Sequence, residues 1–284
     1  MQFLKSTKFR WFLTILTTLV GVFLIAYFVP FGQLLKALRE ISIKSLLLGF
    51  LLYTLSLVLR TLRWKYYYPQ ANLGYLFTMT AANTFLNNVV PARLGELSIF
   101  AFLRSYEKDI QKLVKTFLKV RLLDGVSLIT LFVVALLAVK YNLLLGLLAG
   151  FLVYPSVVLF SKITTFGGKI PSLSWDWVAF FLSLGSIFSK LLGVYIVLEF
   201  LKLDFWRFTV GFIGGEISTI LPFHAFAGLG TYEASFSLAL KLFLGESFDQ
   251  GVKVAFLSHA FLLLSSTILG GLSLLFLLRK AFNK

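Results

Sequence analysis

Ionisable residues stand inside apolar sequence at two places in this chain, and proline and glycine interrupt both places. The first spans residues 83 to 104, NTFLNNVVPARLGELSIFAFLR, and holds Pro91, Arg93 and Glu96. A charged group at membrane depth is costly unless it is paired or faces water, so such residues are functional candidates. Arginine stays charged and presents a planar fork that matches phosphate, so Arg93 predicts a site for a lipid phosphate. The alternative is a salt bridge from Arg93 to Glu96 or Glu233 that only holds the fold.

The second place spans residues 211 to 236, GFIGGEISTILPFHAFAGLGTYEASF, and has the same character. It contains Pro222, His224 and Glu233, with Glu216 as a further embedded carboxylate. Histidine titrates near neutral pH, which makes His224 a candidate proton-binding group. Two interrupted apolar segments in corresponding halves of a chain are typical of a transporter's binding site.

Glycines precede the carboxylate of the second place. Gly228 and Gly230 lie just before Glu233, and glycine there would let backbone amides approach an anionic group. Two roles remain open for Glu96 and Glu233. They are either counter-ions to Arg93 or binding groups for a coupling proton or sodium ion.

Other ionisable residues have simpler explanations. Arg121 and Asp124 are three residues apart, so we expect a structural ion pair on one helix face. His259 stands in an otherwise apolar segment, and we expect it to be a hydrogen-bonded packing residue.

Composition decides the class of protein. Of 284 residues, 58% are hydrophobic and only 14% are charged, with a mean hydropathy of +0.89, which indicates a polytopic membrane protein. The net charge of +15 then indicates cytoplasmic loops and anionic headgroups rather than nucleic acid. The chain has no cysteine and only two histidines, so we expect no disulfide, metal or cofactor.

We expect one all-α membrane domain over residues 1 to 284, with roughly eight membrane segments. The halves, about 1–140 and 141–284, each contain one broken or re-entrant segment, at 75–103 and 208–244, in an inverted repeat. The remaining predicted segments are an uncleaved first span at about 11–29, and spans at about 45–62, 122–139, 143–160, 177–198 and 254–278.

Basic residues predict the orientation. Lysine and arginine are more frequent in the loops on one side, which predicts a multi-pass protein of the cell (inner) membrane with both termini cytoplasmic. Arg60, Arg63, Trp64 and Lys65 end the second span and indicate an interfacial anchor. Lysines recur at helical spacing over residues 106–121, which predicts either an amphipathic helix in the interface or a solvated helix that caps the bundle.

Three motifs follow one another along the chain. They are Asn87-x-x-x-Pro91-Ala92-Arg93-Leu94-Gly95-Glu96, then Arg121-Leu-Leu-Asp124, then Pro222 with Gly228-Leu-Gly230-x-x-Glu233. In this order they resemble one family, the flippase-like transmembrane domain of lysylphosphatidylglycerol synthetases and its stand-alone relatives. The resemblance covers nearly the whole chain. It implies movement of lipids between leaflets and functional roles for Arg93, Glu96, Asp124, Gly228, Gly230 and Glu233.

The chain departs from the family at two points. The aminoacyl-transferase domain of the full synthetases is missing from this sequence, so we expect the chain not to make lysyl-lipid itself. Residues 223–227 also replace part of a motif that usually reads closer to Pro-x-x-Pro-Gly-Gly-x-Gly.

The sequence therefore predicts a lipid translocase, not an enzyme, whose partners are anionic or phosphate-bearing membrane lipids. The residues expected at the substrate are Asn87, Pro91, Arg93, Glu96, Pro222, His224, Gly228, Gly230 and Glu233. An ion- or proton-coupled transporter of small solutes would use the same broken segments. An intramembrane enzyme would need a base, for which His224 with Glu233 is the only pair that we can offer. The sequence leaves open whether the chain forms a homo-oligomer.

Overall fold

The computed structural model describes residues 39–90, 95–164, 175–219 and 226–282. The described residues form α-helices, with 3₁₀ turns at residues 95–97, at Glu199–Leu201 and at Phe226–Gly228. The helices are α1 Ile43–Tyr67, α2 Leu73–Val89, α3 Ser98–Leu103, α4 Ile110–Lys140, α5 Leu143–Thr164, α6 Trp177–Val197, α7 Phe205–Ser218, α8 Thr231–Leu244 and α9 Phe248–Phe282.

Five helices in the described part of the chain are long and apolar enough to cross a membrane. These segments are Ile43–Tyr67, Ile110–Lys140, Leu143–Ser161, Trp177–Val197 and Phe248–Arg279. The all-α class and the multi-pass character are therefore confirmed. The predicted first span at 11–29 lies outside the described residues.

Polar residues set the starts of several helices. In each case the side chain accepts a hydrogen bond from a backbone N–H of the first turn, a group with no partner inside the helix. The capping residues are Ser42, Asn72, Asp109, Asp176 and Asp204, ahead of α1, α2, α4, α6 and α7.

Four helices meet at one end of the bundle around Asp176. Tyr67 Oη donates to the Asp176 carboxylate at 2.8 Å, and Lys119 Nζ lies 2.7 Å from the same carboxylate. The backbone N–H of Asp176 donates to Tyr154 Oη. Burial alone would raise the pKa of Asp176, but hydrogen bonds from Lys119, Tyr67 and the Ala179 N–H hold it below its usual value. We call this the Asp176 end. At the opposite, Glu199 end, Ser45 Oγ donates to Glu199 at 2.5 Å.

The first broken segment folds back on itself. Asn83 donates to the carbonyl of Gly95 at 3.0 Å and to Ser98 Oγ at 2.9 Å. Tyr75 Oη donates to the carbonyl of Phe102 at 2.7 Å, so α3 runs back along α2. The open end of this hairpin lies at the Asp176 end, since Lys65 at the end of α1 donates to the Ala71 carbonyl just before α2.

The second broken segment is also a hairpin, of α7 and α8. Its helices touch because glycines face aromatic rings: a Cβ on Gly215 would lie 2.6 Å from the ring of Tyr232. Its open end is joined by Arg207 and Glu246, whose charged atoms lie 2.8 Å apart. That end belongs to the Glu199 side, because Phe205 packs edge-on against Tyr195 near the end of α6. The turn Phe226–Gly228 contacts α2, so the two hairpins touch each other inside the bundle.

One prediction about the lysine-rich segment is wrong. Residues 110–121 are neither a separate interfacial helix nor a cap, because they continue without a break into the spanning part of α4. At 1.5 Å per residue, this helix of 31 residues is about 46 Å long, well beyond the ~30 Å of a hydrocarbon core. The amphipathic pattern reflects the part of one long helix that extends past the apolar layer.

Adjacent glycines in α9 test how α9 packs on α2. A Cβ on Gly270 would lie 2.5 Å from the Ala81 carbonyl oxygen, whereas one on Gly271 would meet nothing within 4 Å. We expect Gly270→Ala to lower the free energy of unfolding by about 1–3 kcal/mol through overpacking. Gly271→Ala should leave it unchanged or slightly raised. Unfolding in detergent measures both, and equal losses in the two variants would contradict this packing.

Candidate functional site

A cavity of about 540 Å³ lies where the two hairpins meet. Its described walls come from α1, α2, α3, α4, α6, α7, α8 and α9, together with the residues just after the break in the first hairpin and the turn before α8. The lining mixes apolar side chains with ionic ones. The ionic lining residues are Arg60, Arg63, Glu96, Arg121, Asp124, Lys190 and Glu216, with His259 beside them.

One face of α1 supplies the polar wall. Tyr53, Ser56, Arg60 and Arg63 all line the cavity, and their spacing of three to four residues places them on one side of the helix. The predicted interfacial anchor is therefore wrong for Arg63 and Trp64, which are only 3% and 4% exposed. The helical spacing of these residues was the signal that sequence reasoning missed.

Glu96, Arg121, Asp124 and Arg63 form a continuous chain of charges. Arg121 lies 3.1 Å from Glu96 and 3.8 Å from Asp124. Arg63 donates to both oxygens of Asp124, the second at 3.3 Å, and to Ser183 Oγ. The Arg121 to Asp124 contact expected from sequence is thus present as the longest link of a larger network. The network ties the first hairpin to α4, α1 and α6.

A second buried pair joins α6 to α7. Lys190 Nζ contacts Glu216, and both residues are less than 10% exposed. Lys190 also lies over the ring of Phe212, at 5.8 Å from its centre. Glu216, one of the embedded carboxylates in the sequence, therefore has a specific cationic partner at the cavity wall.

Glu233 closes the turn of the second hairpin. One carboxylate oxygen accepts from the Gly230 N–H at 2.7 Å, and the other lies 2.8 Å from His259 Nδ1. Gly228 and Gly230 have φ of 74° and 83°, which favour glycine. The anionic group that the glycine amide meets is thus Glu233 itself. His259 is hydrogen-bonded, as its sequence position suggested, and it also stacks on Tyr232.

Asparagines of α2 hold the first hairpin together. Asn83 donates to Gly95 and Ser98, which both follow the break. Asn87 donates to Asn83 at 3.4 Å, and Asn88 donates to Ser266 of α9 at 2.7 Å. Gly95 lies so close to the backbone of α2 that any Cβ would overlap it. All three asparagines line the cavity, although sequence reasoning had singled out only Asn87.

Four residues predicted at the substrate lie outside the described residues. They are Pro91, Arg93, Pro222 and His224. The described candidates Asn87 and Glu96 line the cavity, while Gly228, Gly230 and Glu233 build the turn beside it.

The family model for the lysylphosphatidylglycerol synthase TM region matches residues 11–270. The chain belongs to this family. No curated protein sequence matches the chain. Membership in the lysylphosphatidylglycerol synthase TM family confirms the resemblance in the sequence and points to a membrane function related to lipids. The described residues of the motifs that carry the resemblance lie at the first hairpin, at the charge network of α4 and at the second hairpin.

The buried pair of Arg63 and Asp124 is open to a test by a double-mutant cycle. Asp124→Leu leaves the Arg63 guanidinium buried without its counter-charge, so we expect a loss of about 3–5 kcal/mol in the free energy of unfolding. Arg63→Met combined with Asp124→Leu should lose less than either single change, because no charge is then left uncompensated.

The exposed pair of Arg207 and Glu246 is the control for this cycle. Glu246→Gln should change the free energy of unfolding by at most about 1 kcal/mol. Additive losses at Arg63 and Asp124 would show that the two side chains are not coupled.

Proposed function

We propose that this protein is a lipid translocase that carries the headgroup of a phosphate-bearing lipid through the ionic cavity between its two hairpins. The observation that carries the proposal is the cavity itself: a site lined by charged groups within a bundle of membrane-spanning helices. Charged residues inside membrane segments are rare and typically mark the pathway of a substrate or an ion. Family membership supports a lipid as the substrate.

The hairpins are proposed to be re-entrant. Helix α2 has 17 residues and helices α7 and α8 have 14 each, which at 1.5 Å per residue is about 21–26 Å. That is shorter than the ~30 Å core of a bilayer. Because the hairpins open at opposite ends of the bundle, the proposal includes an inverted repeat whose broken segments meet at the membrane midplane.

The proposed path keeps the acyl or isoprenoid tails in the bilayer while the headgroup crosses the cavity. Arg93 is proposed to hold the phosphate, and Glu96 and Glu233 to set the local charge and to bind a coupling proton. No chemical bond is made or broken in this scheme, so the protein is proposed to act as a transporter and not as an enzyme.

The orientation follows from the two ends of the bundle. Lys65, Arg104, Lys108, Lys112 and Lys115 gather near the Asp176 end. Each lysine near an anionic surface contributes about 1 kcal/mol of attraction. We therefore assign the Asp176 end and both termini to the cytoplasmic face of the cell membrane.

A coupled transporter of small solutes is the second candidate. A volume of about 540 Å³ would hold a small solute whole, as ligand pockets of several hundred Å³ do. The two functions differ in what moves: lipids change leaflet in one, and vesicle contents change in the other.

A vesicle assay separates these functions. Vesicles containing a trace of fluorescent phosphatidylglycerol are treated with dithionite, which bleaches only the outer leaflet unless lipids exchange. We expect the purified protein to raise the bleached fraction above that of protein-free vesicles, with and without a pH gradient. Solute flux into vesicles whose labelled lipid stays in place would contradict lipid translocation.

A pair of glycine variants tests whether the second hairpin is involved. Gly230 and Gly245 both have positive φ, so alanine strains either position by a similar ~1–2 kcal/mol. Only Gly230 adjoins the cavity turn, whereas Gly245 ends α8 at the Glu199 end. We expect Gly230→Ala to slow lipid exchange several-fold at equal folded protein, and Gly245→Ala to exchange lipid like the wild type. Equal rates in the two variants would argue against the turn.

A further inference from the structure

The charged groups on the described cavity wall do not balance. Four cations line it, and three carboxylates are available to them. Glu96 contacts Arg121, Asp124 accepts two hydrogen bonds from Arg63, and Glu216 contacts Lys190. Among the described residues Arg60 is the remaining lining cation, and no carboxylate of that part of the chain forms an ion pair with it.

Arg60 is held in position by a neutral partner. Its Nε donates to Ser186 Oγ of α6 at 3.0 Å. This bond uses the inner edge of the guanidinium and leaves the two terminal nitrogens without a hydrogen-bond partner in the described part of the chain. A tethered guanidinium with its fork unoccupied is the geometry that binds phosphate oxygens in pairs.

The surroundings of Arg60 favour an anionic ligand. Arg63 lies one turn away on the same face of α1, and Lys190 lies one turn beyond Ser186 on α6, so positive charge is concentrated here. The carboxylates nearby are already bound by those two cations.

The hydroxyl of Tyr232 is a second cavity group without a partner. Tyr232 lines the cavity and is 1% exposed, and its hydroxyl has no hydrogen bond to any described residue. Buried polar groups are normally satisfied, so this hydroxyl is available to a ligand or an ordered water molecule in the cavity.

We propose that Arg60 binds the phosphate of the transported lipid, as a second anion contact on the α1 wall of the cavity. The inference rests on the proposed function, since it takes the phosphate to be that of a lipid headgroup. It adds a residue of α1 to the path and explains why α1 carries a polar stripe in the middle of a membrane helix. Arg63 lies nearer the Asp176 end, and Arg60 lies one helical turn deeper in the bundle. An anion that enters from the Asp176 end along this stripe passes Arg63 first and then reaches Arg60.

The test measures binding in detergent. The melting temperature of the wild type is followed against the concentration of dihexanoyl phosphatidylglycerol, dihexanoylglycerol or sodium phosphate, which separates the phosphate from the tails. We expect stabilisation by the phospholipid and none by dihexanoylglycerol. Arg60→Gln should raise the apparent Kd for the phospholipid about tenfold or more, the loss expected for hydrogen bonds to a charged group.

Two further variants keep the result interpretable. Arg207→Gln removes the same charge at an exposed site far from the cavity and should bind like the wild type. Arg60→Lys keeps the charge but loses the fork and the bond to Ser186, so its Kd should fall between those of the wild type and Arg60→Gln.

The outcomes separate this inference from the proposed function. Equal Kd values for the wild type and Arg60→Gln, or no difference between phospholipid and dihexanoylglycerol, would overturn the assignment of Arg60. If phosphate ion binds as tightly as the phospholipid, and its binding depends on Arg60, the anion site would be supported but a lipid ligand would be contradicted. If the phospholipid binds in a way that depends on Arg60, but the protein exchanges no lipid in vesicles, the Arg60 site would be supported and the translocase function contradicted.

Discussion

Charge compensation in an apolar bundle is the constraint on which this structure depends. A buried ion without a partner costs several kcal/mol, and the surrounding lipid cannot supply one. The described helices therefore satisfy their ionic groups against one another: α1 with α4, α4 with the first hairpin, and α6 with α7. Each of these contacts joins different elements, so the same interactions that neutralise charge also fix the positions of the cavity walls.

Close approach of the backbones makes this compensation feasible. At the crossing of α1 and α6, a Cβ on Gly193 would lie 2.8 Å from the Gly49 carbonyl oxygen. Small residues at helix contacts are the usual means of packing in membranes, where apolar burial adds little. Because α1 and α6 cross so closely, Arg60 and Arg63 reach Ser186 and Ser183 on the neighbouring helix. Ile187 and Lys190 of α6 line the cavity together with these two arginines.

The described residues that flank the breaks of the two hairpins line the cavity for a related reason. A broken helix exposes backbone groups that lipid cannot satisfy, so the break has to lie against protein or water. In the first hairpin the side chain of Asn83 donates a hydrogen bond to the Gly95 carbonyl. In the second hairpin the Glu233 carboxylate accepts a hydrogen bond from the Gly230 N–H. The embedded polar residues thus stabilise the breaks as well as line the site.

Sequence reasoning predicted the helical class, the membrane location, the family and the two interrupted segments, because these follow from hydropathy and from proline and glycine. It missed partnerships between distant residues. Arg63 was assigned to an interface because it ends an apolar run, yet its partner Asp124 is 61 residues away. His259 was correctly expected to be hydrogen-bonded, but nothing in its neighbourhood indicated Glu233. Continuity of α4 was also missed, since a change from lysine-rich to apolar sequence need not interrupt a helix.

Reactivity of single cysteines tests the central claim, that a hydrated ionic cavity lies at membrane depth between the hairpins. The chain has no cysteine, so each substitution provides a single thiol. Thr84→Cys would place it on the cavity wall, and Ile129→Cys on the exposed apolar side of α4. In permeabilised membranes a charged thiol reagent should label Thr84→Cys rapidly and Ile129→Cys hardly at all. An unreactive thiol at position 84 in a folded protein, or equal labelling at the two positions, would contradict the account.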